Sequence, residues 1–507
     1  MIESHRHRRF SVQLVIVVAS LWACIATVHA APAAPATAGE RPNVVLIVAD
    51  DMGFADVGFN GCTDIKTPNI DRLASSGVRL DQWYVQPICS PTRAALMTGR
   101  YPMRQGLHVG VIRPWSRYGL PLEERTLAQA LKDAGYETAI TGKWHLGHFQ
   151  PEYLPTRRGF EHQYGHYNGQ IEYFEHTREG GYDWHRNDKV NREEGYSTHL
   201  IAAEAVKRIE QRDAKRPLFL YVPFNAPHGP HQVPEKYKEP YKNLKEPRQT
   251  YAGMMAAMDE GIGQILDAIE ARGIRENTLV LFTSDNGGAE PGKVTNNGPL
   301  KGGKGGLNEG GVRVAACAAW PGKIPAGGTV TQPLHIVDVY PTLLKLAGAK
   351  AEQPLPIDGL DVWPTLASGA PMPARVILLN ATPVNGAIRS GDWKLMVDDR
   401  AAAGASAAAA DDAEDSGAKE GGAKSASAKR QARQLATAKA KGIGADATVK
   451  LYNLAKDPGE SKDLAAEHPE KVKELRAAFD QLAAQAIPSK TAPRPADFKA
   501  PAVWGGQ

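Results

Sequence analysis

Cysteine is scarce in this chain: four residues in 507, at Cys24, Cys62, Cys89 and Cys317. That number excludes a disulfide-stapled scaffold. Cys24 falls in the leading apolar segment, and Cys62 and Cys317 read as unpaired packing residues, so Cys89 is the one that asks for an explanation. Long apolar runs are absent after the N-terminal segment, which leaves no further span to cross a bilayer. Charge of one sign is also lacking: the net charge is +4 and part of the basic excess sits in a low-complexity stretch, so nothing argues for nucleic-acid binding. Histidines with compact metal-ligand spacing are missing too. His162, His166, His176 and His185 are spread through a Tyr-, Glu- and Gly-rich stretch, residues 150–195, and read as surface or substrate-side residues of an insertion over a site. What remains is ample core material, 42% hydrophobic against 23% charged, enough for one large or two unequal domains.

The chain begins as a targeting segment, with His5-Arg6-His7-Arg8-Arg9 before an apolar run that ends at Val28-His29-Ala30, a small-residue cleavage site. Residues 1–30 are therefore expected to be a signal peptide, and the mature protein to be exported, periplasmic or secreted, with no stable membrane span once the signal is removed. A retained anchor is the alternative, because the run approaches the ~20 residues a span needs. Residues 31–40 form an Ala/Pro linker with too little apolar variety to pack, so folding should start near Arg41.

Asn43 to Ala49 is a near-continuous aliphatic run, the composition of a strand buried on both faces of a parallel sheet, and it ends in Asp50-Asp51. Leu218 to Val222 repeats the pattern, as does Thr278 to Ser284, which delivers Asp285-Asn286-Gly287-Gly288. Tyr136 to Ile140 is a further strand, running into Gly142-Lys143-Trp144-His145-Leu146-Gly147, where Lys143 and His145 share one side of an extended segment. Helices are expected from Thr67-Pro68, over Glu124–Ala134, and over Gln249–Arg272, where Met255, Met258, Ile262, Ile265 and Ile269 form a core stripe. Such alternation makes an α/β sheet whose ligand crevice lies at the C-terminal ends of the strands. Two adjacent carboxylates at that edge are costly unless a metal or arginines neutralise them; the alternative is a pair of turn-capping aspartates.

Cys89-Ser90-Pro91-Thr92-Arg93, continued by Ala94-Ala95-Leu96-Met97-Thr98-Gly99-Arg100, places a cysteine at the start of a helix, where free N–H groups and the helix dipole favour an anion. This Cys-x-Pro-x-Arg followed by Leu-x-Thr-Gly-Arg resembles the hallmark of the sulfatase family, in which the cysteine is oxidised to formylglycine. Resemblance extends over roughly residues 41 to 480. It implies the alkaline phosphatase-like fold: a large, mostly parallel mixed sheet flanked by helices, with a smaller C-terminal antiparallel sheet plus helix. Asn225-Ala226-Pro227-His228-Gly229-Pro230-His231, followed by Gln232-Val233-Pro234, is similar to the arylsulfatase B branch, which acts on sulfated N-acetylgalactosamine.

The resemblance implies a metal site of Asp50, Asp51, Cys89 in its modified form, Asp285 and Asn286, a set of hard oxygens suited to Ca²⁺, with Mg²⁺ second. It implies catalytic roles for Cys89, Arg93, Lys143, His145, His228 and Lys304. Lys304 lies in the glycine-dense stretch Pro299 to Arg313, which fails the P-loop spacing and has no obvious helix after it; Lys301 competes for the same role. In the family mechanism one hydroxyl of hydrated formylglycine attacks sulfur with Asp285 as the base, His228 and Lys304 assist the leaving alcohol, and the second hydroxyl, helped by His145, releases sulfate. The partners implied are a sulfated small molecule or glycan and the formylglycine-generating enzyme. Two rivals remain: a phosphonate or phosphate ester hydrolase of the same superfamily, which tends to carry histidine at the Asn286 position, and a non-catalytic sulfoglycan-binding relative, which would have lost Cys89 or a metal ligand.

The expected catalytic domain is 41–370. Asp338 and Asp358 fall in segments that look structural. The C-terminal subdomain, 371–490, has short strands at Val376–Leu379, Gly386–Arg389, Trp393–Val397 and Lys450–Leu454, a helix from Pro469 to Ala484, and a low-complexity insertion, 401–446. Residues 491–507 are read as a tail.

Overall fold

The residues Asn43–Ala49 face alternately to opposite sides, and both sets are apolar, so this strand, β1, has no solvent face. Val44, Leu46 and Val48 enter one hydrophobic cluster, and Val45, Ile47 and Ala49 enter another. The structure, a computed structural model, describes residues 41–350, 353–399 and 447–505; the expected signal peptide, linker and insertion 401–446 lie outside the described residues.

β1 sits inside a ten-stranded sheet. Its other strands are β2 (Val78–Leu80), β3 (Glu137–Lys143), β4 (His162–His166), β5 (His185–Arg186), β6 (Lys189–Val190), β7 (Leu218–Pro223), β8 (Thr278–Ser284), β9 (Ala316–Ala319) and β10 (Gly328–Val330). Their spatial order is β10-β2-β9-β8-β1-β7-β3-β4-β5-β6. The centre, β8-β1-β7-β3-β4, is parallel throughout, and antiparallel pairing begins at β9 on one side and β5 on the other. Consequently β1, β3, β7 and β8 deliver their C-terminal ends to one edge, where a doubly covered sheet leaves room for a ligand.

Helices cover both faces. Among those described, α1 (Pro68–Ser75), α4 (Ser197–Gln211) and α5 (Arg248–Ala271) bury their apolar sides in one cluster. α2 (Cys89–Thr98), α3 (Leu127–Asp133) and α6 (Val339–Leu346) bury theirs in the other. α3 begins later than the expected Glu124, because Thr126 caps it: its hydroxyl accepts the Gln129 N–H while Gln129 reaches back to the Thr126 N–H.

The stretch 150–195 corrects an expectation. It supplies three strands, β4, β5 and β6, to the sheet, although His162–His166 has no aliphatic periodicity to announce one. Pairing with β3 over Ala139–Lys143 makes the strand, and Glu204 of α4 fastens it by meeting His162 at 2.9 Å and Arg186 at 2.8 Å.

The C-terminal strands β11 (Val376–Ala381), β12 (Asn385–Ser390), β13 (Trp393–Asp398) and β14 (Thr448–Asn453) form a four-stranded antiparallel sheet. α7 (Pro469–Ala483) lies against it through Leu475 and Phe479. A buried charge cluster ties this sheet to Glu309, the first residue of a short helix, Glu309–Val312, and to Tyr84. Lys394 of β13 contacts Glu309 at 3.0 Å and Glu460 at 2.8 Å, and all three side chains are closed to solvent. Tyr84 donates to Glu309 at 2.6 Å, and Arg389 donates to the Tyr84 hydroxyl. Asp338 and Asp358 are likewise structural, paired with Arg375 and Arg104.

Removing the ammonium leaves two buried carboxylates without their counter-charge, a loss of about 3–5 kcal/mol. Lys394→Met should therefore lower the free energy of unfolding, measured by urea denaturation, by that amount, and a loss under about 1 kcal/mol would show that the cluster is not bound together this way.

Candidate active site

β1 ends in Asp50 and Asp51, β8 in Asp285 and Asn286, β3 in Lys143, and β7 leads to His228. The backbone locks these ends together: Asp285 N–H donates to Ala49 at 3.0 Å, Asp50 N–H to Ala226 at 3.0 Å, and Met52 N–H to Ser284 Oγ at 3.1 Å. Cys89 is the first residue of α2, with Ile88 as its extended cap, so the helix N-terminus points at the same place. The thiol meets Asp50 Oδ1 at 3.4 Å. Ligand atoms of Asp50, Asp51, Cys89 and His228 all lie within 4.8 Å of one another.

Three carboxylates this close, with Asp50 and Asp285 wholly buried, demand positive charge. Lys143 Nζ touches Asp50 at 2.6 Å; Arg93 grips Asp285 at 2.7 Å through Nη2 and 3.1 Å through Nε, with Asp50 at 3.7 Å; Lys304 Nζ reaches Asp51 at 3.0 Å. Burial raises the Asp50 carboxyl, but Lys143, with His228 and Arg93, outweighs it and holds Asp50 well below the usual range. Burial works against the Lys143 ammonium too, yet Asp50 keeps it charged. Asp285 moves the other way, raised by burial and by the charge of Asp50 against the pull of Arg93. Burial and Asp285 push the Cys89 thiol well up, so it is no thiolate.

His228 Nε2 accepts from Lys304 Nζ at 3.0 Å, and its Nδ1 lies 2.6 Å from the Gly229 carbonyl. Lys304, not Lys301, is the lysine at this place: Lys301 Nζ donates to the Glu460 carbonyl at 3.3 Å. Gly302 and Gly305, at φ 80° and 79°, make the turns that bring Lys304 in, a conformation open to glycine. A short helix, Glu309–Val312, follows the loop where none was expected, its first residue held by Lys394 and by the Glu460 carboxylate. His231 lies beside the site, edge-on to Tyr251.

His145 has its backbone at φ 57°, and Asp51 at φ 64°, both left-handed and costly for residues with a Cβ. The surroundings enforce the first: His145 N–H donates to Tyr167 at 3.0 Å, Ser90 Oγ donates to the His145 carbonyl at 3.0 Å, and His145 Nε2 lies 3.0 Å from the Ile112 carbonyl. Ser90 Oγ also accepts the Ile112 N–H, at 3.1 Å.

The oxygen donors Asp50, Asp51, Asp285 and Asn286 fit a hard cation. Asn286 donates Nδ2 to Asp51 at 2.7 Å, while its Oδ1 is buried without a hydrogen-bond partner among the described residues. An acceptor left open beside three carboxylates is what a cation ligand looks like before the ion arrives.

Three of the four histidines read as surface or substrate-side, His166, His176 and His185, are buried. Asp183 organises them: it accepts the N–H groups of Tyr167 at 3.0 Å and Asn168 at 2.8 Å and meets His185 at 3.4 Å. His176 stacks on Trp184 and His185 on Tyr167, so aromatic packing replaces solvent. Burial pushes His166 down to about 3, which keeps it neutral. Ser90, inside the Cys89 to Arg93 motif but given no role there, and Gly169 and Tyr173 are further site neighbours; the polar run Asn168-Gly169-Gln170 following a strand was the only signal for the latter two.

Residues 42–349 match the family model described as Sulfatase. The chain is 34% identical over 488 residues to arylsulfatase J of Mus musculus, covering 92% of this chain and 80% of that protein. It is 37% identical over 361 residues to N-acetylgalactosamine-6-sulfatase of Mus musculus, covering 66% and 68%. Among solved structures, Ps i-CgsB in complex with k-i-k-neocarrahexaose superposes with a TM-score of 0.75 at 32% identity, covering 89% of this chain and 94% of that one. Phosphonate monoester hydrolase of Agrobacterium radiobacter shares the fold, with a TM-score of 0.61 at 21% identity over 88% and 96% of the two chains.

A Cβ built on Gly169 would stand 2.4 Å from His145 Cε1, so Gly169→Ala must displace the imidazole. The variant should lose about 1–3 kcal/mol to overpacking. Its crystal structure should show the ring moved off the Ile112 carbonyl, and an unmoved ring in a fully stable protein would contradict this packing.

Proposed function

The chain belongs to the sulfatase family of sulfuric ester hydrolases, and on that premise we propose that it cleaves sulfate monoesters, of an aryl alcohol or a carbohydrate, through a formylglycine made from Cys89 and with a bound Ca²⁺. One observation carries this reading: Cys89 stands at a helix N-terminus within 4.8 Å of Asp50, Asp51 and His228 ligand atoms, ringed by Arg93, Lys143 and Lys304. The raised thiol pKa favours a modified residue over a cysteine thiolate as the nucleophile. As a hydrated aldehyde, that residue supplies one hydroxyl to attack sulfur and a second to free the product sulfate. Asp50, Asp51, Asp285 and Asn286, with an oxygen of the modified residue, would hold the cation, which supplies charge neutralisation for the sulfate. Ca²⁺ is preferred to Mg²⁺ because a set of mostly protein oxygens leaves few places for the waters that Mg²⁺ usually keeps.

The remaining steps fall to the chain's own groups. Arg93 holds Asp285 in place to take a proton, and Lys143 sets fixed positive charge against the sulfate oxygens. His228 Nε2, supplied with a proton by Lys304 Nζ, can hand it to the departing alcohol oxygen. His145, clamped between Ile112, Ser90 and Tyr167, is placed to move a proton in the second half of the reaction. The division into a catalytic domain, 41–370, and a C-terminal subdomain, 371–490, the kinship with the arylsulfatase B branch, export from the cytoplasm and maturation by a formylglycine-generating enzyme belong to the same proposal.

Co-expression with a formylglycine-generating enzyme should convert Cys89 to the aldehyde, visible by peptide mass spectrometry, and confer turnover of 4-nitrophenyl sulfate that Cys89→Ala abolishes. Added Ca²⁺ should raise the melting temperature of the wild type but not of Asp51→Asn. An unmodified Cys89 in a host able to modify it, with no sulfate ester hydrolysed, would refute the mechanism.

A further inference from the structure

No role above falls to residues 168–173, yet this segment runs from one site histidine to the other. At its start Asp183 pins Asn168, accepting the backbone N–H at 2.8 Å and Nδ2 at 2.9 Å. Gly169 lies directly against the His145 imidazole. At its end the Tyr173 hydroxyl is 2.7 Å from the His228 carbonyl and 2.6 Å from that of Asn225, and Tyr173 N–H donates to Gln232 Oε1 at 2.8 Å. Between these fastenings sits Gln170, only 7% exposed. Its Oε1 is buried with no hydrogen-bond partner among the described residues.

A buried carbonyl oxygen left unpaired costs about 1–3 kcal/mol, so a ligand group is expected to complete it. The neighbouring chemistry narrows what that group is. Arg93 and Lys143 already provide charge for the sulfate, where a neutral amide adds little. A carboxamide both donates and accepts, which matches a hydroxyl. Its neighbour Gly169 touches His145, and the far end of the segment is tied to the backbone of His228, the histidine assigned to the leaving oxygen, which favours the alcohol half of the ester over the sulfate.

We propose that Gln170 is a specificity-determining residue whose carboxamide hydrogen-bonds a hydroxyl next to the sulfated carbon, so that the site favours sulfated carbohydrates over aryl sulfates. The assignment rests on the sulfatase reading and adds the substrate class to it. An aryl sulfate has no neighbouring hydroxyl and leaves the amide unpaired, and sites built to pair a hydroxyl discriminate strongly against analogues lacking it.

The test compares kcat/KM for galactose 4-sulfate and galactose 6-sulfate, taking whichever the wild type uses better, with kcat/KM for 4-nitrophenyl sulfate. The enzymes are wild type, Gln170→Met and Gln170→Asn, each with Cys89 converted and each checked by thermal melting. The sugar-to-aryl ratio should fall about tenfold or more in Gln170→Met and by less in Gln170→Asn, which keeps a shorter amide. A ratio unchanged in both variants, even if both activities drop together, would overturn the assignment, as would wild-type turnover of the aryl ester alone. Absence of turnover of every ester by converted wild type would instead bring down the sulfatase reading, and this inference with it.

Discussion

Everything at the catalytic edge depends on keeping three carboxylates and three cations together out of water. Asp50 and Asp285 are wholly buried, and neither survives there as an anion without Lys143 and Arg93 in contact. In so low a dielectric, charge pairs are strong and misplaced ones are punished, which makes the cluster a geometric device as much as a chemical one. Arg93 comes from α2, Lys143 from the end of β3, and Lys304 from a glycine-rich loop, so the charge balance closes only when all three have arrived. On the proposed mechanism the same balance would have to accept two more negative groups, the sulfate and its attacking oxygen, which is the physical reason that reading includes a further cation.

The parallel sheet makes this convergence possible. Strands running the same way bring their C-terminal ends to one edge, and the turns that follow can be irregular because the strands are rigid. Asp51 and His145, at this edge, are both left-handed, each held by hydrogen bonds with distant chain segments. Such strain costs on the order of 1–3 kcal/mol per residue and persists only when the surroundings over-determine it. Here the surroundings are Ser90, Ile112, Tyr167 and Gly169, which together leave the imidazole a single place to lie.

The C-terminal sheet contributes to the site without entering it. Lys394 and Glu460 hold Glu309, which begins the short helix after the glycine-rich loop, and that loop carries Lys304. Backbone contacts finish the work, with Gly305 N–H donating to Pro87 at 2.8 Å just ahead of α2. A lysine with a flexible stem thereby reaches Asp51 and His228 from a loop whose two ends are both fixed. The anchoring cluster draws on Tyr84, Glu309, Arg389, Lys394 and Glu460, residues spread over most of the chain, so no short motif betrays it.

By itself the sequence determined the parallel core and named the residues that gather at the C-terminal edge of its strands. Aliphatic runs without a polar face can only be strands buried on both sides, and each ends in the charged or amide residues that the fold then gathers. The Cys89 to Arg100 segment carried its helix start in its own composition, and Gly142 to Gly147 marked the second site segment. What sequence reading missed is what pairing and packing created. His162–His166 became a strand through its neighbour β3, not through any apolar period. His166, His176 and His185 went inside because Asp183, Trp184 and Tyr167 made them a polar core, whereas each alone looks like a surface residue. The choice of Lys304 over Lys301 was open in a loop where glycines erase local preference, and only the tertiary contacts of both lysines decided it. Local signals record what a residue prefers; a charge balance assembled from five separated segments is a property of the folded chain, and only the fold could decide it.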